Sequence, residues 1–455
     1  MSAEIARDPG IRAAYETDAS GVHLVPEGVA RPESVEEVVE IMREAAAGKT
    51  GVTCAGAQTS TTAASITDRG ILLSLRSFDK IGEVDREARL MRVRPGALLG
   101  AIKRAAAAEG LLFAPDPTSE EESTIGGAIA CNASGARTFR YGATRRHIRA
   151  LKVVLASGDV VQLRRSELEK NTVGYAFAHD PIDWFIGSEG TLGVVVEAEL
   201  SLLPLPARVV GLGIPFQGED DALGFVVRAR EATTVVPRCI EYFDDKAFEI
   251  ARKADVSVPW PADANALVYV EQEVAENFDV VLDSWLALLE SANSNLDPQI
   301  FDGESRLRDA RRFRHSVPSV MNERGARFRE AGGRKVSTDW AVPYRNLAEA
   351  VRFSRALAAD RKIEQAVTYG HAGNGHPHQN YIARDAGELA TIEEVVGLTL
   401  ESVLGMGGTV AAEHGIGKIK KKWLPLQMTS LQMGMMAAVK HELDPLGILA
   451  PGNIL

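Results

Sequence analysis

The chain has 455 residues, 45% of them hydrophobic and 25% charged, enough apolar material for two or three domains with cores of their own. Its formal net charge of −11 is spread along the chain, and the one basic run, KIKKKW at 418–423, is short, so nucleic acid is not an expected partner. No apolar run approaches eighteen residues, and the opening MSAEIARDPG has neither a charged n-region nor an apolar h-region; the expectation is a soluble, unexported, cytoplasmic protein, with peripheral attachment to the inner membrane as the alternative.

In chain order, RPESVEEVVEIMREAAAGKT (31–50) predicts a helix capped by Ser34, with Glu37 three residues on and Val38, Ile41, Met42 and Ala45 along one apolar face. GVTCAGAQTSTTAAS (51–65) predicts a strand breaking into a loop of small and hydroxyl residues whose backbone can approach a ligand closely, a phosphate being the expected one. Strand-like GILLSL and RLMRVRPG follow, then an alanine-rich helix near LLGAIKRAAAAEG. The next stretch, APDPTSEEESTIGGAIACNASGARTFRYGATRRHI, is loop-rich and dense in Gly, Ser, Thr and Asn. LKVVLASGDVVQL and GTLGVVVEAELSLLPLP predict further strands. Pro204 and Pro206 then punctuate the chain, and RVVGLGIPF opens a new unit in which helices and strands alternate to about residue 300, so a boundary is placed near residue 205. The region before it reads as α+β or α/β.

Cys54, Cys131 and Cys239 are far apart and never form a CxxC pair, so neither a disulfide framework nor an iron–sulfur cluster is suggested, and buried thiols are expected. The loops 55–62 and 115–142 offer backbone N–H groups, hydroxyls and close-approach glycines of the kind a pyrophosphate needs, although glycine-rich loops are often plain turns. GLGIPF lacks the third glycine of a GxGxxG unit, so a nicotinamide dinucleotide is not favoured.

Further on, TYGHAGNGHPHQNYI (368–382) gathers three of the chain's nine histidines with two asparagines among three glycines. A turn would account for the glycines but not for the imidazoles, which are common metal ligands and proton carriers. A surface turn with solvated histidines is the alternative that spacing alone leaves open.

Five ordered blocks carry a resemblance: PDPTSEEESTIGGAIACNASGARTFRYGATRRHIRALKVVLASGDVV, FIGSEGTLGVVVEAEL, GHAGNGHPH, GGTVAAEHGIGKIKKKWL and DPLGILAPGNIL. Together, from about residue 25 to the C-terminus, they resemble the FAD-linked oxidases of the vanillyl-alcohol oxidase/p-cresol methylhydroxylase type, nearest the glycolate, D-lactate and D-2-hydroxyglutarate dehydrogenase branch. The resemblance implies an α+β protein with a two-subdomain FAD-binding domain of the PCMH type (1–205), a substrate or cap domain with an antiparallel sheet, flanking helices and a metal site (206–425), and a C-terminal segment (426–455) returning to the FAD domain.

It also implies residue roles. FAD would be held by Ala55, Gly56, Ala57, Gln58, Thr59 and Ser60, by Pro115, Asp116, Ser123, Thr124, Gly126, Gly127, Asn132, Ser134, Gly135, Arg137 and Tyr141, and by Gly190, Thr191 and Val194. A divalent metal, zinc in first place with manganese or iron as alternatives, would be held by His371, His378 and Glu413, with His414 as the catalytic base. Arg314, Lys335 and Asn380 would bind the substrate, arginine suiting a planar carboxylate. The implied reaction is oxidation of a D-2-hydroxy acid to the 2-oxo acid, with hydride passing to flavin N5. Reoxidation would need an acceptor such as an electron-transfer flavoprotein, a quinone, a cytochrome or an iron–sulfur subunit, and the chain would act as a homodimer or as a subunit of a complex. Rival readings are a flavoprotein of this fold acting on another alcohol or an ether-lipid precursor, and a non-catalytic flavin subunit.

Three departures from the family pattern stand out. The first loop, CAGAQTST, is poorer in glycine than usual. The C-terminal motif has Ala450, Pro451 and Gly452 where Asn-Pro-Gly is usual, and Asn374, Gly375, His376 and Pro377 replace the usual Asp-Gly-Asn-Leu, losing a carboxylate and gaining an imidazole that could compete as a metal ligand.

Overall fold

A computed structural model describes residues 4–175, 179–254, 258–275, 277–290, 292 and 296–455. The chain folds as two compact units. Unit 1 comprises 1–135, 142–205 and 413–455, and unit 2 comprises 136–141 and 206–412.

Unit 1 contains two sheets with helices, an α+β arrangement. In the first, Gly28–Ala30 and Val52–Ala55 flank Ile71–Ser74 in parallel, and the short Ile5–Ala6 adds an antiparallel edge. The helix Val35–Gly48 starts where the capping signal sits, with Ser34 Oγ accepting from Glu37 N–H at 3.1 Å. Its buried face is Val35, Val38, Ile41, Met42 and Ala45, packed with Ile71, Leu73 and Val154. Each of the Val, Ile, Leu and Met side chains, once fully buried, contributes about 1.5–3 kcal/mol of transfer free energy.

The second sheet is antiparallel throughout, in the order Ile81–Asp85, Leu90–Val93, Val194–Ser201, Ile148–Val154, Val160–Arg164. Against it lie Ile102 and Ala106 of the alanine-rich helix Leu99–Ala108. The last residues of the chain belong to this unit: Leu449 bridges Val52, and Ala450 N–H donates to Val52 C=O at 2.8 Å.

Unit 2 is built on a seven-stranded sheet. Its strands are β1 (Val209–Phe216), β2 (Pro237–Phe243), β3 (Ala266–Glu273), β4 (Gln299–Asp302), β5 (Gly332–Ser337), β6 (Val367–His371) and β7 (His376–Asp385), in the spatial order β4-β1-β3-β2-β6-β7-β5. Every neighbouring pair is antiparallel. The long helix Gly303–Ala326 buries Phe313, Val317 and Met321 against Phe243, Phe248 and Tyr369. Among the described residues no helix is long and apolar enough to cross a membrane, and the three cysteines form no disulfide.

Candidate functional site

In unit 1 the strand Val52–Ala55 delivers the loop 56–62. Gln58 stands at φ 55°, held there by side-chain amide bonds to Tyr15 C=O at 3.0 Å and Thr17 C=O at 2.9 Å. Among the described residues the N–H groups of Gly56, Ala57, Gln58, Thr59 and Ser60 donate to no protein acceptor.

The loop runs against Thr124, the N-cap of the helix Ile125–Cys131, so closely that a Cβ on Gly56 would overlap the Thr124 hydroxyl. Only glycine fits there. Gly190 approaches the same strand end, its side opening 3.8 Å from Cys54 Cβ. Gly135 lies against the backbone of Asp116, Ser134 Oγ donates to Glu413 Oε2 at 3.3 Å, and Asn132 Oδ1 accepts from Arg145 N–H at 2.9 Å. The structure thus brings Gly56, Thr124 and Gly190 together in unit 1, with Pro115, Asp116, Ser123, Gly126, Gly127, Asn132, Ser134, Gly135, Thr191 and Val194 in the same unit.

Arg137 and Tyr141 lie instead in unit 2. There the Arg137 Nε–H donates to Glu271 at 3.0 Å and the Tyr141 hydroxyl to Glu273. Burial alone would push the Glu271 carboxyl up, but Arg137 and Arg238 outweigh it and hold it down at about 2.

A run of unacceptored amides and the buried, unpartnered hydroxyl of Ser123 suit the phosphates and hydroxyls of a dinucleotide such as FAD. Also in unit 1, Glu413 and His414 sit on a turn rather than a strand. The carboxylate of Glu189 accepts from the N–H groups of Ile416 at 2.5 Å and Gly417 at 2.7 Å, and His414 Nε2 lies 3.6 Å from Glu413 Oε1.

In unit 2 the histidine motif is a β-hairpin. β6 ends at His371, a tight turn covers 372–375, and β7 begins at His376. Gly375 stands at φ 68°, where any Cβ would collide with Val342 C=O. The register pairs His371 with His376 and Tyr369 with His378. Because strand side chains alternate, all three imidazoles then fall on one face. The rings are buried, with centroids 4.7–5.4 Å apart, and each offers one nitrogen within 4.8 Å of the other two. Three neutral imidazoles so placed suit a borderline-soft divalent metal with small ring rotations.

Two carboxylates that the sequence reading passed over brace these rings. Glu241, on β2, puts Oε1 2.7 Å from His371 Nδ1 and Oε2 2.6 Å from Arg314 Nε. Arg314 Nη2 is 3.3 Å from the same His371 nitrogen. A guanidinium can only donate and a charged carboxylate can only accept, so the shorter contact assigns the proton to His371 Nδ1 and leaves the lone pair on Nε2. Burial would raise the Glu241 carboxyl, yet Arg314 and His371 hold it at about 2, so it stays charged. Asp339, just past the end of β5 and almost fully buried, puts Oδ1 3.2 Å from His376 Nε2, a charge-pair distance rather than an aligned hydrogen bond.

Asn380, two residues beyond His378 on the same face, donates from Nδ2 to Tyr369 Oη at 3.1 Å, while its buried Oδ1 has no hydrogen-bond partner. Lys335, on β5, contacts Asn322 Oδ1, and burial lowers its pKa to about 8. The signals for Glu241 and Asp339 were a carboxylate inside an apolar run, RCIEYF, and one inside VSTDWAV; an isolated acid in a buried strand needs a partner.

Comparison with known proteins gives a consistent picture. Residues 26–164 match the family described as FAD binding domain, and 205–454 match FAD linked oxidases, C-terminal domain. A glycolate oxidase subunit GlcD from Bacillus subtilis is 29% identical, covering 97% of this chain and 92% of its own length. A D-lactate dehydrogenase from Anaerostipes hadrus is 28% identical over 94% and 90%, and a D-2-hydroxyglutarate dehydrogenase from Xanthomonas citri pv. viticola 31% identical over 94% and 89%. Among solved structures, an alkyldihydroxyacetonephosphate synthase superposes with a TM-score of 0.73 at 18% identity, over 98% of this chain and 83% of that one, a likeness of fold.

Proposed function

The chain belongs to the FAD-linked oxidases, and on that premise we propose that this FAD-dependent oxidoreductase converts a D-2-hydroxy acid of the glycolate, D-lactate or 2-hydroxyglutarate class into the 2-oxo acid. The observation that carries the reading is the hairpin: three buried imidazoles on one strand face, with Arg314 and Glu241 against one of them.

In this reading the loops 55–60 and 115–135 with Arg137, Tyr141, Gly190, Thr191 and Val194 hold FAD, and His371, His378 and Glu413 hold the divalent metal. Bound there, FAD would supply a hydride acceptor and a divalent metal would supply a Lewis acid for the α-hydroxyl. The rest falls to side chains. Arg314 has five N–H donors, so it can keep Glu241 and grip a substrate carboxylate as well. Lys335 supplies a second cation and Asn380 Oδ1 a buried acceptor. His414 takes the α-hydroxyl proton. Reduced flavin would need a separate electron acceptor, and the naming of one relative as a subunit supports work within a complex.

Anaerobic mixing of the flavin-loaded protein with a panel of 2-hydroxy acids tests the reading. D-enantiomers or glycolate should bleach the flavin while L-enantiomers do not, and no bleaching by any 2-hydroxy acid would overturn it. The bound FAD should be dissociable, since CAGAQTST holds no histidine for a covalent link. Acid precipitation should leave the yellow colour in solution, not in the pellet.

A further inference from the structure

We infer that His376 is a third imidazole ligand of the metal centre, with Asp339 as the carboxylate that orients it. This rests on the reading that the hairpin holds a divalent metal, and it adds a third imidazole to His371 and His378.

His371 and His376 are cross-strand partners, and His378 is two residues along the same strand, so a strand period of two commits His376 to the face that carries the other two. A solvated histidine would turn away from this face. His376 does not: it is 4% exposed, with its ring centroid 4.7 Å from that of His378 and 5.4 Å from that of His371.

The second observation is the matched bracing of the rings. His371 is held through Nδ1 by buried Glu241, which leaves Nε2 as its ligand atom. His376 has buried Asp339 3.2 Å from Nε2, near enough that a small ring rotation would align a hydrogen bond there and leave Nδ1 as the ligand atom. A carboxylate on the far nitrogen is the usual support of a metal-binding histidine, fixing tautomer and ring orientation. The backbone keeps Asp339 in place: Thr338 N–H donates to Gln379 C=O at 3.0 Å, Gln379 N–H returns to Thr338 Oγ1 at 3.2 Å, and Asp339 C=O accepts from Ala412 N–H at 2.7 Å.

The chemical consequence is selectivity. A third neutral nitrogen donor favours zinc and cobalt over manganese, which prefers oxygen ligands. His376→Asn removes the imidazole nitrogen. In the flavin-loaded protein it should weaken zinc binding about 10- to 100-fold in competition with a chelator, lower the zinc-to-manganese preference, and alter the visible spectrum of the cobalt-substituted protein, with FAD content unchanged. Asp339→Asn should move the same readouts in the same direction by less.

An unchanged cobalt spectrum and unchanged zinc affinity in His376→Asn would make His376 a structural histidine and sink the inference. Should that variant fail to fold, zinc-edge X-ray absorption on the unaltered protein decides: three imidazoles support the inference and two overturn it. His371→Ala separates the two levels of argument, because retention of full zinc affinity there would sink the metal reading itself.

Discussion

Unit 1 offers a ligand mostly backbone, whereas unit 2 offers mostly side chains. Around Gly56 the useful groups are consecutive amide N–H donors, and what matters is the absence of anything that would block them. Around His371 the useful groups are imidazoles, a guanidinium and carboxylates, each worth nothing unless a neighbour fixes its rotamer and protonation. A site of the first kind is damaged by adding atoms, and one of the second kind by removing them.

Substitutions can press on that contrast, and the largest effect belongs to the side-chain chemistry. His414→Ala should lower the rate of flavin reduction by about 10²-fold or more while metal and FAD stay near stoichiometric, and any of His371→Ala, His378→Ala or Glu413→Ala should lower metal content and rate together. Stopped-flow reduction beside elemental analysis reads both, and a His414→Ala protein without metal would show the roles to be exchanged. Next comes addition on the backbone side. Gly56→Val places branched carbons where Thr124 already sits, so FAD occupancy of the purified protein should fall at least tenfold while any bound metal holds; full occupancy would mean that the loop is not the flavin contact.

A smaller effect is expected from acid. Glu271 is held at about 2 by Arg137 and Arg238 against its burial, below the usual carboxylate value of about 4.3. Its folded pKa is depressed, so its stabilisation is fully present above about pH 4.3 and is lost as pH falls toward 2. Unfolding midpoints measured across that window should drop less in Glu271→Gln than in the unaltered protein. The smallest change concerns Lys49, exposed in the left-handed region at φ 50° where the helix Val35–Gly48 ends. Lys49→Gly should stabilise by about 0.5–1 kcal/mol with FAD and metal unaffected, read as a raised thermal midpoint.

Legibility in the sequence follows the same division. The helix at 35–48 was readable because Ser34, Glu37 and the apolar face all lie within one short window, and the α+β class and the FAD family followed from ordered blocks. The histidines were readable as a cluster within one motif. That they form a hairpin with a fixed register was not, since the two-residue alternation of His376 and His378 fits loop and strand alike. Glu241 and Asp339 could be singled out as isolated acids in apolar runs, but not matched to a histidine, because each is far from it along the chain, 130 residues for Glu241 and His371, and only the fold brings them near. Arg137 and Tyr141 read as neighbours of Gly135, yet the chain changes unit at that glycine.

The pairing of Leu449 with Val52 has a consequence for synthesis. A ribosome releases the strand Val52–Ala55 long before residues 449–453 exist, and the whole of 206–412 emerges in between. Unit 2 can therefore mature on the nascent chain while the first sheet of unit 1 still lacks its final partner. Asn453, whose side chain donates to Ala64 C=O at 2.9 Å, belongs to the same late-made stretch, so unit 1 is completed only after unit 2 has been synthesised.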